Sequence, residues 1–439
     1  MSIKPKLGLF DTTVIVISLI IGIGIFRTPS IVASETQDAT LFFLAWLTGG
    51  IICLIGGLIF AEIGSRKPIA GGFYKLVSEA YHPAFAFMLN WLGITITSSA
   101  TYAAVAVLGS EYITQLIPIE GINSPSGIKL TAVSIILFLF IINYTGIKSG
   151  AGALNILTAI KILLILFFSL LAFSYSSQPE VAFAQDESCT NPLYSFTSAL
   201  IAVFFTVGGY QLTINLAADV KNPRRNLPLG IITGVIITII LYILINTGYY
   251  SVMGIIGIAN SPLIAADTAN IIFGQTGKAV ISVLIFISAV GFINVSLMHV
   301  PRTYHAMAED KVLPEIFMRV NKKTQTQEFT LLIMCILITV FIIFLGEFEK
   351  IINLIIFLDS LAIAVVASTI FIFRKRKDEN MEYTGFKIPF FPVLPVIFIF
   401  FLLIVSINAF YRDITAGLIS IVVFITGFPI YKTLRRIIK

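Results

Sequence analysis

The chain has 439 residues and a net charge of +6, and 57% of its residues are apolar whereas only 12% are charged. Soluble globular domains carry about a quarter charged residues, and the mean hydropathy here is +0.97, so the composition excludes an ordinary soluble protein. A polytopic membrane protein is predicted, with its basic residues in loops that face anionic lipid headgroups. No nucleic-acid partner is implied.

Apolar runs of about 20 residues, the length that a helix needs to cross the hydrocarbon core, predict twelve transmembrane helices. They cover residues 10–33, 41–65, 83–113, 127–147, 152–175, 194–217, 228–254, 275–305, 328–346, 350–373, 390–410 and 414–434. Loops rich in Lys and Arg stay in the cytoplasm, and most basic loop residues fall on one side when both termini are placed inside. We expect a multi-pass protein of the cell (inner or plasma) membrane with cytoplasmic termini.

The first predicted span is interrupted by Gly22 and Gly24, with Arg27 and Pro29 close behind. Peptide groups freed by a broken helix are tolerated at membrane depth only where protein, water or a ligand satisfies them, so the pattern predicts a binding site. Glycine also permits close helix packing, which is the alternative interpretation. Because Arg and Pro are poor residues for a packing seam, a broken helix is favoured.

A similar interruption, Gly208-Gly209, lies in the sixth predicted span. If spans one to five (1–175) and spans six to ten (194–373) form two units, the odd number of crossings inverts the second unit relative to the first. Each unit then begins with a broken helix, and corresponding interruptions in two halves indicate the central site of a transporter. Residues 390–439 supply two further helices, and residues 1–439 form a single membrane transporter domain.

Lys161 lies near the middle of the fifth span, too deep for its ammonium to reach the headgroups. A central Lys costs at least about 3 kcal/mol, so by default it indicates a functional site with a partner. A structural ion pair or a hydrogen-bonded cap is the alternative.

Other classes of chemistry find little support in the sequence. The three His residues are scattered, and there is neither a metal-ligand cluster nor a Gly-rich phosphate loop that ends in Lys-Ser or Lys-Thr. A nucleophile and its base at one membrane depth are also missing. We therefore expect no enzyme, no metal and no cofactor. A channel is the alternative to a carrier, and its flux would not saturate.

Four motifs in order carry a family resemblance that covers nearly the whole chain. They are Gly22-Ile23-Gly24-Ile25-Phe26, then Phe60-Ala61-Glu62-Ile63-Gly64 leading to Ala70-Gly71-Gly72-Phe73-Tyr74, then Asp219-Val220-Lys221-Asn222-Pro223-Arg224-Arg225-Asn226-Leu227-Pro228, and Ala306-Met307-Ala308-Glu309-Asp310-Lys311-Val312-Leu313-Pro314. The chain resembles the amino acid-polyamine-organocation (APC) superfamily transporters, and within them the L-type amino acid transporter (LAT) branch in a bacterial style. The resemblance implies an all-α, LeuT-like five-plus-five inverted repeat with discontinuous helices 1 and 6.

Three residues depart from that branch. Ile23 stands between the two glycines where the family has a small residue, Tyr210 stands where the branch has Trp, and Phe73 where it has Glu. These differences leave the choice of substrate open.

A zwitterionic amino acid needs donors for its carboxylate and acceptors for its ammonium. The half-helix that begins after the first break offers unpaired N–H groups and a positive dipole end, and the resemblance assigns the carboxylate to the backbone of Gly22, Ile23, Gly24 and Ile25. Carbonyls freed near the second break suit the ammonium. The predicted substrate site is completed by Phe205, Thr206, Val207, Gly208 and Tyr210.

The resemblance also implies roles for four side chains. Lys161 takes the place of a sodium ion of sodium-coupled relatives, and it either releases its proton to couple transport to protons or stays charged in an exchanger. Arg27 and Asp359 form an outer gate in this interpretation, although Asp359 could instead pair with Lys161 or face a polar cavity. Phe205 is a candidate gate over the substrate, with a core or lipid-facing Phe as the alternative.

The expected function is secondary active transport of neutral amino acids by alternating access, as an exchanger or a proton-coupled symporter, independent of sodium. A cationic amino acid or polyamine transporter of the same fold is the alternative. Residues 113–128 contain no Cys, so we expect no disulfide-linked heavy subunit. A noncovalent homodimer is left open.

Overall fold

The computed structural model describes residues 7–69, 72–145, 151–174, 192–321, 324, 326–346, 348–376 and 383–437. Its regular elements are helices, and the bounds of the α-helices are, in chain order, α1 Leu9–Ile20, α2 Thr28–Thr36, α3 Ala39–Arg66, α4 Gly72–Ala80, α5 Pro83–Leu92, α6 Ser98–Thr114, α7 Pro125–Tyr144, α8 Ala151–Ser174, α9 Pro192–Val207, α10 Pro223–Ala259, α11 Ile264–Glu309, α12 Glu328–Phe344, α13 Phe348–Lys375, α14 Val393–Arg412 and α15 Ile414–Ile437.

Within the described ranges, nine helices are long and apolar enough to cross a membrane. Three shorter helical stretches, Leu9–Ile20, Thr158–Leu170 and Glu328–Phe344, are also apolar. The expectation of an all-helical membrane protein is confirmed for the described part of the chain. The total of twelve spans stays a prediction.

The first span is broken in the middle. α1 ends at Ile20, Ile21 leaves the helical conformation with ψ of 78°, and a single 3₁₀ turn covers Gly24–Phe26. The chain becomes helical again at Thr28, where Pro29 occupies the first turn of α2. Proline fits there because the first-turn N–H groups have no intrahelical acceptor.

The sixth span is broken at two glycines and continues in a different helical form. α9 ends at Val207, and after Gly209 the chain forms a 3₁₀ helix over Tyr210–Asp219. Runs of 3₁₀ helix longer than three or four residues are uncommon and often mark a functional hinge. The break therefore lies at Gly208-Gly209, and Phe205, Thr206 and Val207 belong to the last turn of α9.

Helices α3, α8, α9 and α10 surround the two breaks. α10 packs along α3, α1 and α8, and α9 packs against α2 and α3. Glycines allow some of these close contacts: a Cβ at Gly49 of α3 would lie 2.3 Å from Val203 of α9, and one at Gly234 of α10 would lie 2.7 Å from Val16 of α1. Small residues let transmembrane helices approach closely, so the broken spans are held on several sides.

A buried carboxylate joins the ends of α3 and α13. Glu62 is fully buried and accepts hydrogen bonds from Arg66 Nε at 2.6 Å, from Arg374 Nε at 2.8 Å and from the backbone N–H of Ile388 at 2.6 Å. Arg66 and Arg374 also stack on the rings of Tyr383 and Phe391. Burial raises the pKa of the Tyr383 hydroxyl. Glu62 thus connects α3, α13 and the segment that leads into α14.

We predict that Glu62→Gln destabilises the fold strongly. Removing one partner of a buried, hydrogen-bonded ion pair costs about 3–5 kcal/mol, because the remaining guanidinium groups stay buried without compensation. The measurement is thermal unfolding of the purified protein in detergent, followed by tryptophan fluorescence.

The matched control is Glu79→Gln. Glu79 pairs with Lys67 and Arg376 at the same end of the bundle, but it is 35% exposed, and exposed pairs contribute about 0–1 kcal/mol. Equal melting temperatures for the two variants would contradict the role given to Glu62.

Candidate functional site

The two breaks lie against each other. Gly209 has φ of +115°, a conformation that favours glycine, and a Cβ there would be 2.2 Å from the carbonyl oxygen of Leu19 in α1. A Cβ at Gly24 would lie 3.0 Å from Thr206 Oγ1, and that hydroxyl is 2.5 Å from Thr28 Oγ1. The backbones of the first and sixth spans are therefore in direct contact where each is interrupted.

The first break exposes a run of backbone donors. Gly22 N–H bonds to the Ile20 carbonyl at 2.7 Å, and Phe26 N–H bonds to the Ile23 carbonyl at 3.0 Å. Across the described part of the chain, no acceptor is found for the N–H groups of Ile23, Gly24 and Ile25. Consecutive unpaired N–H groups at the start of a helical segment carry positive potential and attract anions. This stretch can bind a carboxylate through its backbone.

The side chains at this break leave room beside the backbone. Ile23 and Ile25 are buried, whereas the nearest atom to a Cβ on Gly22 would be Gly24 N at 3.9 Å. A ligand that approaches the N–H groups would therefore meet Gly22 without a clash, and the bulk of Ile23 is directed into the protein core.

The carbonyls released by both breaks receive side-chain donors. Tyr242 of α10 points its hydroxyl at the carbonyls of Ile20 and Thr206, at 3.0 Å and 3.2 Å. Cys53 of α3 donates to the Val207 carbonyl at 3.2 Å. A tyrosine hydroxyl has one proton, so Tyr242 donates to one broken helix at a time while it contacts both. Carbonyl oxygens have two lone pairs, so each can accept a further bond.

Lys161 of α8 also reaches the first break. Its ammonium donates to the Ile21 carbonyl at 3.0 Å, the side chain is 3% exposed, and the Phe292 ring centroid is 5.8 Å away. Among the residues described, Lys161 forms no ion pair. A carbonyl dipole and an aromatic face are thus the groups that offset the cost of placing this charge at membrane depth.

The residues expected in gates have other neighbours in this conformation. Arg27 donates from Nη1 to the Pro262 carbonyl at 2.7 Å. Asp359 of α13 is half-buried and makes no ion pair in the ranges that the structure describes. The Phe205 ring packs edge-to-face on Phe348 at the start of α13, with centroids 6.1 Å apart. The gating roles of these residues stay predictions.

Tyr210 follows the second break and is buried. Its ring packs edge-on against Phe60 at 6.0 Å, and its hydroxyl fits over Gly56, where a Cβ would be 2.2 Å away. The hydroxyl has no hydrogen-bond partner within the described residues. Buried polar groups are normally satisfied, so this hydroxyl is an exception among the described side chains.

Sequence reasoning missed the residues that bind the freed carbonyls. Tyr242 and Cys53 lie within long apolar runs, where a tyrosine or a cysteine is ordinary, and only the contact with the breaks reveals their part. The sequence offers only a weak indication for Tyr242, namely that a hydroxyl at mid-span needs a hydrogen-bond acceptor. Thr28 could have been noticed more easily, because it lies beside Arg27 and Pro29 at the predicted break.

Comparison with known proteins identifies the family of this chain. Residues 7–431 match the model of the family described as amino acid permease. The chain is 29% identical to the serine/threonine exchanger SteT of Bacillus subtilis (strain 168), over 99% of this chain and 98% of that protein. It is 24% identical to the mouse b(0,+)-type amino acid transporter 1, over 92% of this chain and 83% of the relative. For the mouse large neutral amino acids transporter small subunit 2, the identity is 24% over 98% of this chain and 81% of the relative. The chain belongs to the amino acid permease family of the APC superfamily, as a LAT-like membrane transporter and not an enzyme.

Proposed function

We propose that the chain is an alternating-access carrier of neutral amino acids, with its substrate held between the broken first and sixth spans. The observation that carries this proposal is the set of unpaired N–H groups at Ile23, Gly24 and Ile25 beside the released carbonyls of the second break. An amino acid offers a carboxylate to the former and an ammonium to the latter. Backbone recognition of both ends leaves the substrate side chain to be read by its surroundings.

The organisation of the fold supports this proposal. The breaks occur in the first helix of residues 1–175 and in the first helix of 194–373, which is the arrangement of an inverted repeat around a midplane site. Residues 390–439 lie outside both units. The proposed carrier resides in the cell membrane with both termini in the cytoplasm. It works without a disulfide-linked heavy subunit, and the proposal is compatible with a monomer or a noncovalent homodimer.

Lys161 supports transport that is independent of sodium. Its fixed ammonium takes the position at the first break that a cation would otherwise fill, on the Ile21 carbonyl. If this ammonium stays charged, Lys161 carries no proton across the membrane. We then expect an exchanger, which switches between outward-open and inward-open states only with a substrate bound. The printed name of SteT, a serine/threonine exchanger, points in the same direction, and small neutral amino acids are the first substrates to test.

Gating is assigned to Phe205 over the substrate and to Arg27 with Asp359 in the outer vestibule. Arg27 rests on the Pro262 carbonyl in the present conformation, so formation of the Arg27–Asp359 pair requires a change of state. A cationic amino acid or a polyamine is the second candidate substrate. It is favoured by Asp359, a half-buried carboxylate in the membrane-spanning helix α13.

Counterflow tests the proposal directly. We expect proteoliposomes loaded with a mixture of amino acids to release serine, threonine or other neutral amino acids faster when one of these is added outside, with saturation and without dependence on sodium. Repeating the assay with and without a pH gradient separates exchange from proton symport. Flux that rises linearly with the gradient, with no acceleration by external substrate, would refute a carrier.

Gly22→Ala is predicted to impair substrate binding without unfolding the protein. A methyl group meets no protein atom closer than 3.9 Å at this position, but it occupies space beside the carboxylate donors. Crowding a packed site costs about 1–3 kcal/mol, so the apparent KM in counterflow should rise about tenfold or more while the melting temperature stays near that of the wild type.

Gly57→Ala is the control, because a Cβ there would contact Val235 at 3.3 Å in the α3–α10 seam, away from the N–H groups. An unchanged KM for Gly22→Ala, or an equal rise for both variants, would remove the backbone site from the proposal.

Asp359→Asn separates the two substrate classes. If Asp359 recognises a cationic substrate, the variant should lose lysine or polyamine exchange by about tenfold or more, as expected when a charged contact is lost. If Asp359 acts only in the outer gate with Arg27, neutral exchange should slow and the access of thiol reagents from outside should increase. Unchanged affinity, rate and accessibility would exclude both charged roles.

A further inference from the structure

A cavity of about 310 Å³ opens between the end of α3 and the start of α10. One wall is made by Ser65, Arg66 and Pro68, and the other by residues 222–225, Asn-Pro-Arg-Arg. We refer to this space as the arginine cavity. It is remote from the breaks in sequence and belongs to the connection that follows the sixth span.

Basic side chains line both walls of the arginine cavity. On the α3 side, Arg66 shares the carboxylate of Glu62 with Arg374. Arg224 and Arg225 are exposed, and neither forms an ion pair or a side-chain hydrogen bond in the described part of the chain. By contrast, other basic side chains have acidic partners, namely Lys67 and Arg376 with Glu79, Lys75 with Asp310, and Arg412 with Glu35.

Hydrogen bonds order the main chain around Arg224 and Arg225. Asn222 has φ of +47°, and its carbonyl accepts the N–H groups of Arg225 at 3.0 Å and Asn226 at 2.9 Å. The Asn226 side chain donates to the Lys221 carbonyl at 2.6 Å. A hydrogen-bonded turn therefore orders the main chain that carries Arg224 and Arg225 into the first turn of α10.

The location defines the kind of anion that can reach the arginine cavity. The apolar part of α10 begins at Leu227, two residues after Arg225, so the cavity lies at the membrane interface. Guanidinium groups bind phosphate oxygens through paired N–H donors, and basic pockets between transmembrane helices bind anionic headgroups.

We propose that the arginine cavity binds a phosphate group, supplied by the headgroup of an anionic phospholipid or by a soluble phosphate. The bound phosphate is held by Arg224 and Arg225 of α10 and faces Arg66 of α3. The ligand thereby connects the end of the second span to the start of the seventh. This site is independent of the substrate site and of the transport assignment.

The test uses the purified full chain in phosphatidylcholine bicelles, with two probes. Phosphatidylglycerol is titrated into the bicelles, and inorganic phosphate is titrated separately at constant ionic strength, with binding read by native mass spectrometry for the lipid and by calorimetry for phosphate. The variant is the double substitution Arg224→Gln with Arg225→Gln. The control is Arg435→Gln with Arg436→Gln, which removes the same charge from the exposed end of α15.

We expect the Arg224/Arg225 variant to bind the phosphate-bearing probe about twenty-five-fold more weakly, since each basic residue at a headgroup contributes about fivefold. The Arg435/Arg436 control should bind within about twofold of the wild type. Loss with phosphatidylglycerol alone identifies the lipid as the source, and loss with inorganic phosphate identifies a soluble anion. If the double variant is not monodisperse, Arg224→Gln and Arg225→Gln are tested separately. Each single variant should bind the probe about fivefold more weakly than the wild type.

Two results would overturn the proposal. Equal weakening in the Arg224/Arg225 variant and the Arg435/Arg436 control would mean that general surface charge, and not the arginine cavity, attracts the anion. Wild-type affinity for both probes in the Arg224/Arg225 variant would mean that these side chains hold no phosphate.

Discussion

The constraint on which this structure depends is that no peptide group in hydrocarbon can remain without a partner. Two helices are interrupted at the same place, and carbonyls freed at both breaks accept hydrogen bonds from side chains of other helices, among them Tyr242 from α10, Lys161 from α8 and Cys53 from α3. The freed N–H groups of Ile23, Gly24 and Ile25 are treated differently. These donors have no protein acceptor among the described residues, which supports the proposal that the site binds an anionic group.

The position of the breaks could be predicted from the sequence because their cause is local. Gly22, Gly24 and Pro29 disfavour a continuous helix wherever they occur, and Gly208-Gly209 gives the same signal at the matching place. The form of the second break could not be predicted, since whether the chain resumes as an α-helix or as the 3₁₀ helix Tyr210–Asp219 depends on what packs around it. Lys161 could be identified from the sequence because a charge at mid-span is costly whatever packs around it.

The partners of the broken segments lay beyond the reach of the sequence. Tyr242 is separated from Ile20 by more than two hundred residues, and its role depends on α10 crossing both breaks. Glu62 shows the same limit, since the spacing to Arg66 predicts one helical pair but gives no sign of Arg374 or of the Ile388 N–H. The outer-gate pair remains a prediction because the present conformation places Arg27 on Pro262.

The short backbone pairing of Leu7 with Val220 has a consequence for how the protein can move. Leu7 N–H bonds to the Asp219 carbonyl at 2.9 Å and Lys221 N–H bonds to the Leu7 carbonyl at 2.8 Å. The segment before the first span is therefore hydrogen-bonded to the segment after the sixth span. These spans also touch through Gly209 and Leu19 at mid-depth. Both contacts oppose sliding of the first span past the sixth, so we expect the two interrupted helices to tilt together when the protein changes state.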